Sequence, residues 1–122
     1  MIKQIKSSEV KNYIKENSNV VLLDVRTENE WKTLGRPNAE DLNSKTYFVT
    51  VSPDLSNWQA PDPNFVENVK KNIQKDKTIL VMCAAGGRSL IAANLLEAEG
   101  YSTLNVSDGF NGNGQDPGWK NL

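Results

Sequence analysis

Two short runs of apolar residues limit the fold of this chain more than any other feature. Residues 20–23 (Val-Val-Leu-Leu) and residues 78–82 (Thr-Ile-Leu-Val-Met) contain almost no polar side chain. Runs of this length and β-branched content are typical of strands that are buried on both faces, as in parallel sheets. Segments with helical spacing lie between and after them, and this alternation predicts an α/β fold with a central parallel sheet.

Apolar spacing and turn residues place the other elements. Three more segments have strand composition, namely residues 1–5, 47–51 and 102–106. Four segments have helical spacing, namely residues 8–16, 28–34, 62–75 and 88–99. Ser7 or Ser8 is the expected N-cap of the first helix, and Gly35 and Gly100 are expected to end the second and the fourth. Residues 52–63 contain three prolines and are predicted to form a loop.

The length and charge of the chain restrict its class. A chain of 122 residues has the size of one compact domain, so we predict a single domain over residues 1–122. No apolar run approaches the roughly 20 residues that span a membrane, and the N-terminus lacks the apolar core of a secretory signal. The net charge of −1, with both signs mixed along the chain, gives no basic surface for nucleic acid or an anionic membrane. We therefore expect a soluble, cytoplasmic protein that binds neither.

Two absences restrict the chemistry. The chain has no histidine, which excludes Ser-His-Asp and Cys-His catalytic arrangements and every histidine-ligated metal site. It has a single cysteine, Cys83, which excludes an internal disulfide, a Cys-x-x-Cys redox pair and a cysteine-rich zinc site. We expect no metal and no cofactor, and any chemistry of Cys83 has to proceed without a histidine base.

Cys83 follows a predicted buried strand and precedes a predicted helix, with Gly86 and Gly87 between them. Ligands bind at this end of the strands in parallel sheets, and a Gly-Gly turn lets several N–H groups converge on one point. The helix N-terminus and the guanidinium of Arg88 would also stabilise a thiolate and an oxyanion. A lone cysteine after a strand is often only a small buried hydrophobe, but the combination of features favours a nucleophile. A Walker-type phosphate loop is excluded by Met82 and Arg88.

Three segments of the chain resemble the rhodanese family. Residues 83–89, Cys-Ala-Ala-Gly-Gly-Arg-Ser, resemble its active-site loop, which in single-domain members often reads Cys-x-x-Gly-x-Arg-Ser. Residues 23–31, Leu-Asp-Val-Arg-Thr-Glu-Asn-Glu-Trp, resemble its Asp-Val-Arg-x-x-x-Glu-aromatic signature. Gly109-Phe110 and Gly118-Trp119 resemble its glycine-rich, tryptophan-containing C-terminal segment, although this chain ends somewhat earlier than is common. The likeness spans nearly the whole chain.

The resemblance implies a rhodanese-like domain, with a parallel sheet of about five strands and helices on both faces, and a sulfurtransferase activity. Cys83 would take the outer sulfur of thiosulfate or a persulfide, become a persulfide, and pass that sulfur to a thiol, to cyanide or to a protein acceptor. Arg88 would act with it as a catalytic residue by meeting the donor's oxyanion. The loop residues that would contact the substrate are Ala84, Ala85, Gly86, Gly87, Arg88 and Ser89.

Residues of the second segment are expected to support the site. Asp24, Arg26 and Glu30 are assigned to the scaffold, with Arg26 and Glu30 paired across one helical turn to fix the strand-to-helix turn.

The chain also departs from the family pattern. Residues 35–39 (Gly-Arg-Pro-Asn-Ala) stand where many members have Gly-His-Ile-Pro-Gly-Ala, whose histidine is usually taken as structural. Residues 40–64 form a longer connection than is common. This connection either folds over the pocket with Trp58 as a lid side chain or is a surface loop with Trp58 packed on the core.

Two other functions suit the same fold. Cysteine phosphatases and arsenate reductases separate Cys and Arg by five residues and commonly have His before the Cys. Here four residues separate Cys83 from Arg88, and Met82 precedes the cysteine. Non-catalytic rhodanese-like binding modules usually lack the cysteine, which is present here. The sequence therefore favours the sulfurtransferase over both.

Overall fold

Five parallel strands form one sheet in the computed structural model, which describes residues 2–122 except the side chains of Glu40 and Asp41. The order across the sheet is β1-β5-β4-β2-β3. The strands are β1 (Lys3–Ile5), β2 (Val20–Asp24), β3 (Lys45–Phe48), β4 (Thr78–Met82) and β5 (Ser102–Val106). The predicted fold class is confirmed, and Met1 of the first predicted strand lies outside the described residues.

Four α-helices connect the strands. They are α1 (Ser7–Glu16), α2 (Glu28–Leu34), α3 (Phe65–Lys70) and α4 (Gly87–Ala98). Short 3-10 turns lie at Ala39–Leu42, Leu55–Asn57 and Trp119–Asn121. Within residues 2–122, none of the helices has the length and apolar composition that crossing a membrane requires.

Both faces of the sheet are covered by apolar side chains, as the two apolar runs predict. Alternate residues of β2 and β4 point to opposite faces because the side-chain period of a strand is two. One set packs with α3 and α4, for example Leu23 and Val81 against Phe65 and Leu96. The other set packs with α1 and with the C-terminal segment, which is the part of the chain after β5 and contributes Phe110. Each central strand therefore has a core on both of its sides.

The start of α1 differs from the expected serine cap. The helix begins at Ser7, and the carboxylate of Glu9 accepts a 2.9 Å hydrogen bond from the N–H of Lys6. The N-cap position is Lys6, so Ser7 and Ser8 both lie inside the helix. The hydroxyl of Ser7 donates instead to the carboxylate of Asp108.

Strand β3 begins and ends earlier than the predicted segment 47–51. It pairs with β2, and its last residue, Phe48, is the register partner of Asp24, where β2 ends. Val49 and Val51 still donate backbone hydrogen bonds to Asp24 and Val25, but the chain has left the regular ladder.

Helix α3 is shorter than the predicted segment 62–75. The carboxylate of Asp62 accepts from the N–H of Asn64 at 2.9 Å, which closes a turn before the helix starts. After Lys70 the chain continues in turns, and Ile73 still packs into the core.

A buried carboxylate connects α1 to the C-terminal segment. Asp108 is 1% exposed. It accepts from the N–H and hydroxyl of Ser7 at 2.9 and 2.5 Å, and from the N–H of Gly118 at 3.0 Å. Three donors offset the cost of burying the carboxylate. Because they come from Ser7 and Gly118, Asp108 connects the start of α1 to the C-terminal segment.

Replacing Asp108 with Asn should lower the free energy of unfolding by about 2–4 kcal/mol, because an amide nitrogen would face donors that now meet a carboxylate oxygen. Urea denaturation followed by circular dichroism measures this change. Asp76→Asn, at an exposed turn position, is the matched control and should stay close to the wild type. Equal midpoints for the two variants would contradict the role assigned to Asp108.

Candidate active site

The loop that carries Cys83 emerges at the carboxyl end of β4, in the middle of the sheet. Gly86 lies before the first turn of α4 with a φ of 101°, in the left-handed region. A Cβ at this position would overlap the carbonyl oxygen of Ser107. Only glycine fits this turn, which brings the start of α4 under the loop.

The sulfur of Cys83 lies among hydrogen-bond donors. Its Sγ accepts from the N–H of Gly86 at 3.1 Å, and the hydroxyl oxygen of Ser89 lies within hydrogen-bond distance at 3.3 Å. The residue is 1% exposed and lies at the N-terminal end of α4. The sulfur therefore has polar neighbours at a helix N-terminus, and none of them is a histidine.

A buried polar network continues behind the sulfur. The hydroxyl of Ser89 lies 2.5 Å from Oδ1 of Asn105, whose Nδ2 donates to the carbonyl of Gly86 at 3.1 Å and to Oε1 of Gln4 at 2.9 Å. Since a hydroxyl has one hydrogen, Ser89 can donate either to Asn105 or to Cys83, but not to both. Asn105 was not predicted to belong to the site, although an asparagine inside a strand is uncommon and was the available signal.

The C-terminal segment holds the other side of the loop. The N–H of Phe110 donates to the carbonyl of Cys83 at 2.8 Å, and the N–H of Asn111 donates to the carbonyl of Ala84 at 2.9 Å. A Cβ at Gly109 would overlap the carbonyl of Ala84, so the backbones touch there. The glycine-rich tail thus braces the loop.

Arg88 and Glu30 form a bidentate ion pair between α4 and α2. Nη1 and Nη2 of Arg88 lie 2.7 and 2.9 Å from Oε1 and Oε2 of Glu30. Burial would raise the pKa of Glu30, but the hydrogen bonds from Arg88 and from the N–H of Thr27, with the charge of Arg88, together lower it to about 2. The pair stays ionised at neutral pH, and the guanidinium fork predicted to meet the donor's oxyanion is engaged by Glu30.

The predicted pairing of Arg26 with Glu30 is wrong. Arg26 instead forms an ion pair with Asp24, with Nη2 at 2.8 Å from Oδ2 and Nε at 3.1 Å from both carboxylate oxygens. Both side chains are fully buried. The spacing of four residues pairs side chains only within a helix, and α2 begins at Glu28, after Arg26.

Arg26 contacts three separate parts of the chain. Its guanidinium lies 4.2 Å from the ring centroid of Phe110 and donates to the carbonyl of Gly35 at 2.8 Å. It therefore joins the end of β2, the end of α2 and the C-terminal segment. Asp24 supports the site by its ion pair with Arg26, and Glu30 does so by its ion pair with Arg88.

A cavity of about 300 Å³ opens beside the cysteine. Its lining residues are Leu55, Trp58, Cys83, Ala84, Ala85, Gly87 and Arg88. The indole of Trp58 packs over Gly87, where a Cβ would lie 3.3 Å from its Cη2 and Cζ3 atoms. Of the two placements left open for residues 40–64, the structure has the one in which the segment folds over the pocket.

The structure brings most of the predicted loop residues to the sulfur. Cys83, Ala84, Ala85, Gly87 and Arg88 border the cavity, while Gly86 and Ser89 contact the sulfur from beneath. Leu55 was not predicted to line the cavity. It lies in a proline-rich loop without periodicity, so the sequence held no signal for its position.

Comparisons with known proteins agree with this geometry. A model of the rhodanese-like domain family matches residues 6–114. The chain is 38% identical over 121 residues to the uncharacterized protein RP600 of Rickettsia prowazekii, covering 98% of this chain and 93% of that protein. It is 28% identical to rhodanese-like domain-containing protein 14, chloroplastic, of Arabidopsis thaliana, covering 84% of this chain and 58% of that protein.

Two crystal structures have a similar fold. The structure of Rv0390 from M. tuberculosis has a TM-score of 0.81 at 26% identity and covers 98% of this chain and 92% of that one. A rhodanese-like domain protein from Staphylococcus aureus has a TM-score of 0.66 at 26% identity, with 92% and 91% covered. The family match, the parallel sheet and the cysteine loop lead to one conclusion: this chain belongs to the rhodanese-like domain family.

Proposed function

We propose that this protein is a sulfurtransferase that carries a sulfane sulfur as a persulfide on Cys83. The observation that supports this most directly is the placement of the sulfur at the start of α4. It accepts a hydrogen bond from the N–H of Gly86, lies 3.3 Å from the hydroxyl of Ser89 and borders a cavity. A nucleophile held by neutral donors suits attack on sulfur, which needs a thiolate but no general base.

The proposed reaction has two displacements. The Cys83 thiolate attacks the outer sulfur of a donor, the donor's bond to that sulfur breaks, and the leaving group departs with the electron pair. The enzyme then holds Cys83–S–S⁻, whose terminal sulfur extends into the cavity towards the loop N–H groups. A thiol, a protein thiol or cyanide attacks this terminal sulfur, the S–S bond breaks, and the Cys83 thiolate is released.

In this proposal Arg88 acts first by positioning the loop. Glu30 uses two of the five guanidinium N–H groups, and Arg88 also lines the cavity. A remaining N–H can contact a donor, but the fork itself is not offered to the substrate. This arrangement weighs against phosphoryl transfer, where three equatorial oxygens must be satisfied.

Cys83 should take up one sulfur atom and return it to cyanide. After incubation with excess thiosulfate or glutathione persulfide, the intact mass should rise by one sulfur, and cyanide should restore it with release of thiocyanate. Cys83→Ser should abolish both signals, because the hydroxyl is not ionised at neutral pH. Thiocyanate release by Cys83→Ser at the wild-type rate would refute the mechanism.

The same samples separate the rival functions. We expect no turnover of p-nitrophenyl phosphate by the wild type. Cysteine-dependent phosphatase turnover without sulfur uptake would assign a cysteine phosphatase, and neither activity would assign a non-catalytic binding module.

Ser89→Ala should slow sulfur uptake by about tenfold, because one hydrogen bond to a charged sulfur contributes roughly 1.5 kcal/mol. The second-order rate constant of persulfide formation, from quenched mass measurements, tests this. Ser102→Ala, at an exposed position of β5, is the control and should match the wild type. Equal rates for the two variants would remove Ser89 from the site.

The Glu30–Arg88 pair should make stability depend on pH in the acid range. The pKa of Glu30 falls from 4.5 to about 2 on folding, so the ionised carboxylate stabilises the fold above pH 4.5 and loses this effect towards pH 2. Between pH 4.5 and pH 2 this effect should lower the free energy of unfolding of the wild type by about 3 kcal/mol, and Glu30→Gln should not show this loss. Urea denaturation at several pH values gives the comparison.

Glu28→Gln is the control, since the carboxylate of Glu28 is 72% exposed beside Lys32 on the same helix. Its pH dependence should follow the wild type. A Glu30→Gln protein with the same acid dependence as these two would contradict the strength assigned to the pair.

A further inference from the structure

The mouth of the cavity has two large apolar side chains that no core cluster explains. Leu55 is 47% exposed and Trp58 is 39% exposed, and both line the cavity beside Cys83. Exposed aromatic and aliphatic side chains that converge on a concave site are typical of a surface that binds an apolar group. The loop side of the same cavity adds the methyl groups of Ala84 and Ala85.

The charge at the cavity is balanced. Apart from Cys83, Arg88 is the only lining residue with an ionisable side chain, and both of its Nη atoms bind the carboxylate of Glu30. The pKa of Glu30 lies at about 2, so the pair has no net charge at neutral pH. Backbone N–H groups and the start of α4 remain, which suit one anionic sulfur rather than a multiply charged donor.

We infer that the donor is the persulfide of an organic thiol whose apolar carbon group binds against Leu55 and Trp58, in preference to thiosulfate. This inference rests on the sulfurtransferase function proposed above. In the reaction R–S–SH + Cys83–S⁻ → Cys83–S–SH + R–S⁻, the outer sulfur moves, one S–S bond breaks and one forms, and no external oxidant is needed. Thiosulfate would bring two negative charges beside the thiolate and would lose hydration without a free cation to replace it.

A comparison of four sulfur donors separates the effect of the apolar side chains Leu55 and Trp58 on the rate from the effect of the donor's charge. Persulfidation of Cys83 is measured as a second-order rate constant by quenched intact mass with benzyl persulfide, methyl persulfide, the persulfide of 2-sulfanylethanesulfonate, and thiosulfate. Each rate is divided by the rate of the same donor with N-acetylcysteine, which removes intrinsic reactivity. Benzyl persulfide should exceed methyl persulfide by about tenfold, since burial of a phenyl ring is favourable. The sulfonated persulfide should not exceed methyl persulfide, and thiosulfate should be the slowest.

Two variants and one control test the inference. Trp58→Ala should lower the ratio of the benzyl persulfide rate to the methyl persulfide rate from about tenfold to about twofold or less. Leu90→Ala is the control, because Leu90 is 37% exposed on α4 and lies outside the residues that line the cavity. Glu30→Gln releases the guanidinium fork and should raise the ratio of the thiosulfate rate to the methyl persulfide rate by about fivefold or more.

The outcomes distinguish this inference from the function on which it rests. If no donor adds sulfur to Cys83, the sulfurtransferase proposal fails, and the donor class fails with it. If corrected thiosulfate and benzyl persulfide rates are equal, or if Trp58→Ala slows all donors alike, the donor class is overturned while the sulfurtransferase stands. An unchanged ratio in a folded Glu30→Gln protein would overturn the part of the inference that depends on charge.

Discussion

Strand β4 is paired on both of its sides, and this position constrains everything around the cysteine. It lies between β5 and β2 in a parallel sheet, with apolar cores on both faces. Its carboxyl end therefore opens into a space bounded by the ends of its neighbours, by α4 and by the C-terminal segment. Polar groups placed there lose contact with water, so a buried charge without a partner would be costly.

The pairs at this edge follow from that constraint. Arg26 binds Asp24, Arg88 binds Glu30, and Ser89 binds Asn105. Removing one member would leave the other buried without its partner, which costs far more than the pair contributes. These pairs connect the elements beneath the sulfur, and the exposed side of the site is formed by Trp58 and the loop that carries it.

The sequence predicts the strands of this fold better than the partners of its charges. Apolar runs and the Gly-Gly turn are local signals, so the central strands and the location of Cys83 could be predicted. The partner of Glu30 lies 58 residues away, and its identification needs the crossing of α2 and α4 rather than any spacing. The pairing of Arg26 was misassigned because the helix begins two residues later than that interpretation requires. The contact of Trp58 with Gly87 depends in the same way on the path of a loop without periodicity.

The single hydrogen of Ser89 links this polar network to the proposed cycle. While Cys83 is a thiolate, the hydroxyl can donate to the sulfur, and Oδ1 of Asn105 then lacks that donor. In the proposed cycle, sulfur uptake moves the charge mainly to the terminal sulfur, which is bonded to the Cys83 sulfur at about 2 Å. The inner sulfur is then a weaker acceptor, and the hydroxyl can return to Asn105, 2.5 Å away. Asn105 cannot turn to follow it, because Gly86 and Gln4 hold its amide. The network thus offers a distinct hydrogen-bond arrangement to each of the two states that a sulfur carrier has to occupy.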